Sequence, residues 1–460
     1  MQLSRRRFLE SAGLVFAVPR LASAQEATDG FQLLRAEVKS IFLLENQAFS
    51  TTTWQFSGES ATTVLRGRQG EEIKVHIVNL LDREIWFHWF GVRGPSELMT
   101  LNIQPGAENA VDCVFTPPDA GTFWFGPLTD ASRLRDMGLY GMLVVEEKEL
   151  TTTFFDVPMI IDDWKIDADG MILGDFGNLE AAVGGGRLGN WFTVNSLYKP
   201  RMKLPADRPC RLRLLNTANA REMNIQFKGA DPLIVALDGQ PISPRHVGRQ
   251  VLALAAGQRA DLVLDTGSEN VSMALDLFED IVEVCYLDRE GSAAASVLAY
   301  NFALPPNPVT GAINSKNARA IPIVIAGGAK GGLKSARFNN EVLDTRALLE
   351  RGVAWAINET AGPGSAPIAQ FAKDETVIFE IENRTYFEQP LHIHGHVWQL
   401  VEADGMPQEN QPWMDTVVVP ARKTLKLAFV ADNPGLWVLQ SLVAERVDSG
   451  LIASFSVATA

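Results

Sequence analysis

An all-β fold of Greek-key sandwiches or barrels is predicted by three observations along this 460-residue chain. Short runs rich in β-branched residues show near-alternating polarity. Turns made of Gly, Pro and Asp separate them at a spacing of about ten residues. Helical periodicity is confined to short pieces, at residues 132–137 and 340–351. Taken in order, the predicted strands include Ile73-Lys74-Val75-His76-Ile77-Val78, Leu143-Val144-Val145 and Arg211-Leu212-Arg213-Leu214-Leu215. Val251-Leu252-Ala253-Leu254 and Thr416-Val417-Val418-Val419 follow. Breaks near residues 149–155 and 304–320, the second rich in Pro, Asn and Gly, divide the chain into three all-β units. Their expected spans are 25–149, 150–305 and 306–460, the last including a linker.

Residues 1–24 read as a targeting segment and stand outside the fold argument. Ser4-Arg5-Arg6-Arg7-Phe8-Leu9 is a twin-arginine signature, an apolar run from Ala12 to Val18 follows, and Ala22-Ser23-Ala24 supplies the cleavage site. The expected location is the periplasm, reached by a route that carries folded proteins. Removing the segment takes away four arginines and Glu10 and leaves a formal charge of −17. Such a charge disfavours nucleic acid and anionic membrane as partners. No other apolar run is long enough to span a bilayer.

Cys113, Cys210 and Cys285 are far apart and form no CxxC pair, so they do not read as a metal cluster. A Cys210–Cys285 bridge and buried single thiols are both open. The run Gly327-Gly328-Ala329-Lys330-Gly331-Gly332-Leu333-Lys334-Ser335 superficially suggests a phosphate loop. Leu333 stands where that motif requires glycine, and the run is read as a flexible linker.

Several stretches resemble the bacterial three-domain multicopper oxidases. Trp86-Phe87-His88-Trp89-Phe90-Gly91 is similar to the family's HWHG. Gly121-Thr122-Phe123-Trp124-Phe125-Gly126-Pro127-Leu128 is similar to GTYWYHSH, and Gly138-Leu139-Tyr140-Gly141-Met142-Leu143-Val144-Val145 to GLYGPLIV. Asp162-Asp163-Trp164, Phe192-Thr193-Val194-Asn195 and Gly257-Gln258-Arg259-Ala260-Asp261 punctuate the middle third as in the family. Gln389-Pro390-Leu391-His392-Ile393-His394-Gly395-His396 resembles HPxHLHGH, and Asp415-Thr416 and Asn433-Pro434-Gly435 follow in order. The resemblance implies three cupredoxin-like Greek-key β-sandwich domains.

It also implies where copper ligands would stand, and most are missing. Intact members hold a type 1 copper in the third domain and a trinuclear cluster between the first and third. The type 1 positions carry Gln389, Ser441, Arg446 and Leu451. A blue-copper site needs a thiolate, and serine oxygen does not replace it. In the cluster's four HxH pairs, Phe90, Gly126, Leu128, Gln440 and Leu442 replace histidine. Of ten family histidines, His88, His392 and His394 remain. They match two type 2 ligands and one type 3 ligand. Two readings stand: the three imidazoles hold one Cu(II) or Zn(II), with water completing the shell, or they are interdomain packing. His396, His76 and His246 match no ligand position.

Met99 stands where the family has an aspartate near its solvent channel, and Glu445 matches a glutamate implied to relay protons. Without the cluster, Glu445 is expected to pair with a cation such as Arg446 or to face solvent. Apolar residues at the emptied positions are expected to refill the space, as a packed interior requires.

The residues therefore predict a non-catalytic exported protein with no resident cofactor that binds periplasmic partners. The resemblance extends to the copper-free cell-division member of the superfamily, which implies partners in the cell envelope or division machinery. The alternative is a mononuclear copper protein or oxidoreductase using His88, His392 and His394, which needs an open route for solvent or substrate. A scaffold for an intact oxidase subunit is the third possibility.

Overall fold

The computed structural model describes residues 26–27, 30–44, 47–56, 63–150, 152–248, 251–267, 269–292, 302–308, 313–314, 316–363 and 366–459. The targeting segment at residues 1–24 lies outside the described residues. About 50% of the chain is strand and 7% helix, as the β-branched runs predict. Strands form at Ile73–Asn79, Gly141–Glu146, Cys210–Asn216, Leu252–Leu254 and Thr416–Val419. The helical pieces are shorter than their periodicity suggests, at Ala131–Leu134 and Thr345–Glu350. Residues 341–344 pair instead with the strand Ser335–Phe338, and Asp344 then caps the helix by accepting the Ala347 N–H at 2.8 Å. Among the described residues no helix is long and apolar enough to cross a membrane.

Six large sheets follow one another in pairs along the chain. The first pair draws on strands from Glu26–Ala27 to Gly141–Glu146, the second on Phe155–Trp164 to Ile281–Glu290, and the third on Arg319–Gly327 to Ile452–Val457. Each of the six carries one parallel strand pair among antiparallel neighbours. One topology is thus repeated three times, and the units are cupredoxin-like Greek-key sandwiches. A single apolar core runs through the first and third units, from Phe87 and Trp89 to Phe429 and Phe455, while the middle unit has its own. A smaller cluster draws on all three, through Phe90 and Trp124, Ile160 and Leu215, and Leu442.

Polar contacts hold the units against one another. The buried Arg259 of the middle unit donates from Nη1 to Asp415 Oδ1 of the third at 3.0 Å, and from Nε to Thr122 O of the first at 3.2 Å. Its Nη2 donates to Asp415 Oδ2. Gly91, at φ +82°, lies against this pair, where a Cβ would sit 2.4 Å from Arg259 Nη2 and 2.5 Å from Asp415 Oδ2. A side chain there would break the contact.

One open alternative is settled and one reading is corrected. The three cysteines are free and buried, so the single-thiol alternative holds. Burial pushes the thiol of Cys113 up to about 11 and that of Cys285 up to about 12. The run 327–335 is not a linker between units. It connects Arg319–Gly327 to Ser335–Phe338 within the third unit, and its glycines meet a packing demand. A Cβ on Gly328 would lie 2.4 Å from the Trp355 ring. Trp355 Nε1 donates to Ala182 O at 2.7 Å and Ala329 N to Val183 O at 2.6 Å, which joins this loop to the middle unit.

Arg259→Ala leaves the Asp415 carboxylate buried without its cation, so it is expected to cost about 3–5 kcal/mol. Denaturant unfolding of the full chain, with the conservative Arg259→Lys alongside, measures the loss.

Candidate metal centre

The three remaining histidines meet between the first and third units. His88 lies on the strand Ile85–Phe90, opposite Thr100 and Gly126 in register. His392 lies on Gln389–Ile393, opposite Thr416 and Gln440. His394 follows that strand, with its backbone N–H donating to Val438 O at 2.9 Å. The i, i+2 spacing turns both imidazoles toward His88. One ligand atom from each residue lies within 4.8 Å of the others.

Hydrogen bonds and burial shape the surroundings of these rings. His392 Nδ1 lies 3.0 Å from Thr416 Oγ1 and 3.2 Å from Asp415 Oδ1. Burial alone would raise the Asp415 carboxyl, but the Arg259 guanidinium outweighs it and holds the acid well below its ordinary range. An ionised carboxylate only accepts, so His392 carries a proton on Nδ1. His88 Nδ1 engages Thr100 Oγ1 at 2.7 Å. Burial, and then His392, holds His88 well below the ordinary histidine range. Burial, and then His88 and His392, does the same to His394.

The Nε2 atoms of all three rings are buried and have no hydrogen-bond partner. An unpaired buried acceptor costs about 1–3 kcal/mol. A cation bound among them would satisfy such atoms, and Nδ1 contacts orient the His88 and His392 rings. A donor set of neutral imidazoles suits Cu(II) or Zn(II). One feature favours packing: the rings of His88 and His394 stack at 3.9 Å with 28° between planes, so closing on an ion requires them to splay. The three residues are only 1%, 0% and 1% exposed.

The other copper positions do not fit metal. Where the type 1 copper would sit, Arg446 donates to Gln389 Oε1 at 2.9 Å and to Glu388 O. Its guanidinium lies 5.0 Å from the Trp355 ring centroid and 5.3 Å from that of Phe387. Arg446 and Leu451 are both buried. At the type 3 positions Phe90 stacks on Trp124 at 3.8 Å with 6° between planes, and Leu442 packs in the same cluster. The emptied space is refilled with aromatic and aliphatic volume.

Glu445 corrects an expectation. It neither pairs with Arg446 nor faces solvent. Both side chains leave the short helix Ala444–Asp448, where adjacent residues do not face each other. Glu445 points toward the middle unit, where Oε1 accepts from Asn219 Nδ2 at 3.1 Å and Oε2 is buried without a partner. Burial raises its carboxyl, against smaller opposing pulls from backbone N–H groups, Arg135 and Asn219. The folded state therefore prefers the protonated acid. Its contribution to stability is complete below the ordinary carboxyl range and is lost as pH rises through the raised folded value. Glu445→Gln, which mimics the protonated form, is expected to gain on the wild type as pH rises above about 4.3. Denaturation midpoints of both proteins across the pH range check this.

Two multicopper oxidase family models match the chain, over residues 40–150 and 338–460. The chain is 24% identical to the multicopper oxidase MmcO of Mycobacterium tuberculosis over 412 residues, covering 82% of this chain and 77% of that one. It is 26% identical to the cell division protein FtsP of Escherichia coli over 459 residues, covering 93% of each. Among solved structures, a multicopper oxidase of Pseudomonas thermotolerans superposes with a TM-score of 0.78 at 27% identity, covering 93% of this chain and 98% of that one. The ordered motifs, the threefold repeat of one sandwich and these matches agree: the chain belongs to the multicopper oxidase superfamily.

Proposed function

We propose that this chain is an exported multicopper-oxidase-like protein that has given up oxidase turnover and acts through protein partners in cell division. One observation carries the loss of turnover: the Arg446–Gln389 pair sits where electrons would enter, and the Phe90–Trp124–Leu442 packing sits where oxygen would bind. The division role is supported by similarity to FtsP over nearly the whole chain. The twin-arginine segment at residues 1–24 supports the periplasm. The domains are taken as 25–149, 150–305 and 306–460, which follows the pairing of the sheets. Exposed aromatics suited to partner contact include Phe42 and Phe49 on one connection and Phe278 at a hairpin tip.

A second reading concerns the three histidines, and their unpaired Nε2 atoms favour it. In it, His88, His392 and His394 hold one copper or zinc ion that pins the first unit to the third. The ion is structural, because the rings are closed to substrate. His392 has Asp415 and Thr416 behind it, so its loss weakens the site most.

The test combines oxygen uptake with metal analysis of the exported protein. No uptake above background with phenolic or metal-ion reductants after copper loading is expected, and copper-dependent turnover would overturn the proposal. One ion per chain, lost in His392→Ala together with a rise in melting temperature on metal addition, supports the structural ion. No bound metal in either protein removes that second reading and leaves the first.

A further inference from the structure

The loop at residues 327–335 borders two hollows that none of the functions above uses. The larger is an open cleft of about 610 Å³ whose rim includes Lys330, Lys334, Arg384 and Arg422. Val324 and Ala326 contribute an apolar portion, and Tyr386 is 58% exposed beside them. Arg422 donates from Nη1 to Arg384 O at 2.7 Å and lies 5.5 Å from the Tyr386 ring centroid. Arg384 is paired with Glu382 at 2.7 Å. Lys330 and Lys334 are exposed, and among the described residues no ion pair engages them. Glu359 is the one carboxylate in the lining. In a chain of formal charge −14, four cations gather at this cleft against Glu359 in the lining and Glu382 behind Arg384.

The smaller hollow, of about 380 Å³, lies against the same loop and shares Lys330, Gly331, Gly332 and Leu333 with the first. Its character is apolar, through Leu179 and Val183 of the middle unit and Leu333 and Leu349 of the third. A basic cleft therefore adjoins an aliphatic groove at a seam between two units.

The geometry points to a docking site for an acidic peptide, with carboxylates in the basic cleft and an aliphatic side chain in the adjoining groove. Arg422 keeps guanidinium donors beyond the one given to Arg384 O, and Lys330 and Lys334 add point charges that no ion pair engages among the described residues. Inorganic phosphate would engage only part of a cleft this size and would leave the apolar groove empty. A bilayer is excluded by shape and charge together. The cations line a recess instead of a protruding face, and the chain as a whole repels an anionic surface. The inference relies on the partner-binding reading only for its biological use, and stands whether or not the histidines hold an ion.

Fluorescence anisotropy of the full mature chain tests it, with a short labelled peptide of alternating Glu and Leu as the probe. The acidic peptide is expected to bind, to weaken as salt rises, and to lose roughly tenfold or more in affinity to Lys330→Glu/Lys334→Glu. Both lysines are exposed, so the variant should melt with the wild type. If it does not, Lys334→Gln alone supplies the comparison. Equal binding of a Lys/Leu peptide, or unchanged affinity in the variant, overturns the site. Displacement by equimolar inorganic phosphate, or binding to anionic vesicles without binding to the peptide, overturns the peptide assignment. None of these outcomes alters oxygen uptake, so the loss of turnover is judged separately.

Discussion

A buried guanidinium must find acceptors for its donors or the fold loses several kcal/mol, and Arg259 finds them in three places at once. It belongs to the middle unit, grips the Asp415 carboxylate of the third and reaches the Thr122 carbonyl oxygen of the first. Asp415 in turn backs His392, so the orientation of the candidate ligand is set by a residue of the unit that contributes no ligand. Other buried charges repeat the device at other seams. Arg211 and Arg213 of the middle unit share Asp261, which also accepts from Thr122 of the first at 2.6 Å. Arg93 of the first unit pairs with Asp119 and crosses to Asp432 of the third at 3.0 Å. These contacts specify one arrangement of three similar sandwiches, a task that apolar packing alone does poorly.

Within that frame the former copper positions have diverged in two ways. The type 1 and type 3 positions have been rebuilt, one around a cation held by carbonyl oxygens and aromatic faces, the other around a flat stack of Phe90 on Trp124. Burial lowers the Arg446 guanidinium to about 10, a charge kept without a carboxylate in contact. The type 2 region has been left with its polar scaffolding. Thr100, Asp415 and Thr416 still engage Nδ1 atoms, and three Nε2 atoms still face a common space. The proposed loss of turnover and the grouping of the three histidines rest on different side chains, so each can be tested without the other.

Much of this was legible in the chain. Strand positions followed from local pattern, and the surviving histidines followed from motif order. Ser441, where the family resemblance implies a cysteine, is the sequence ground for the proposed loss of electron entry. What escaped was contact between distant residues. Glu445 was expected beside Arg446, yet helix geometry sends it to Asn219, 226 positions away in sequence. The glycine-rich run read as a linker because its composition is that of one, while its reason lies in the Trp355 ring below it. Residue types gave no hint that Arg259 would span three units, since its partners lie 137 and 156 positions away. The helical period over 340–351 was misleading for a local reason: residues 341–344 gain more as the second strand of a hairpin.

We propose that, among the described residues, a single potential metal position survives while the others have been filled by side chains. Diffraction from copper-soaked crystals, with anomalous maps measured at the copper edge, tests it most directly. The account predicts anomalous density, if any, only between His88, His392 and His394, with Arg446 still bound to Gln389. A second peak beside Phe90 and Leu442, or one displacing Arg446 near Ser441, would contradict it.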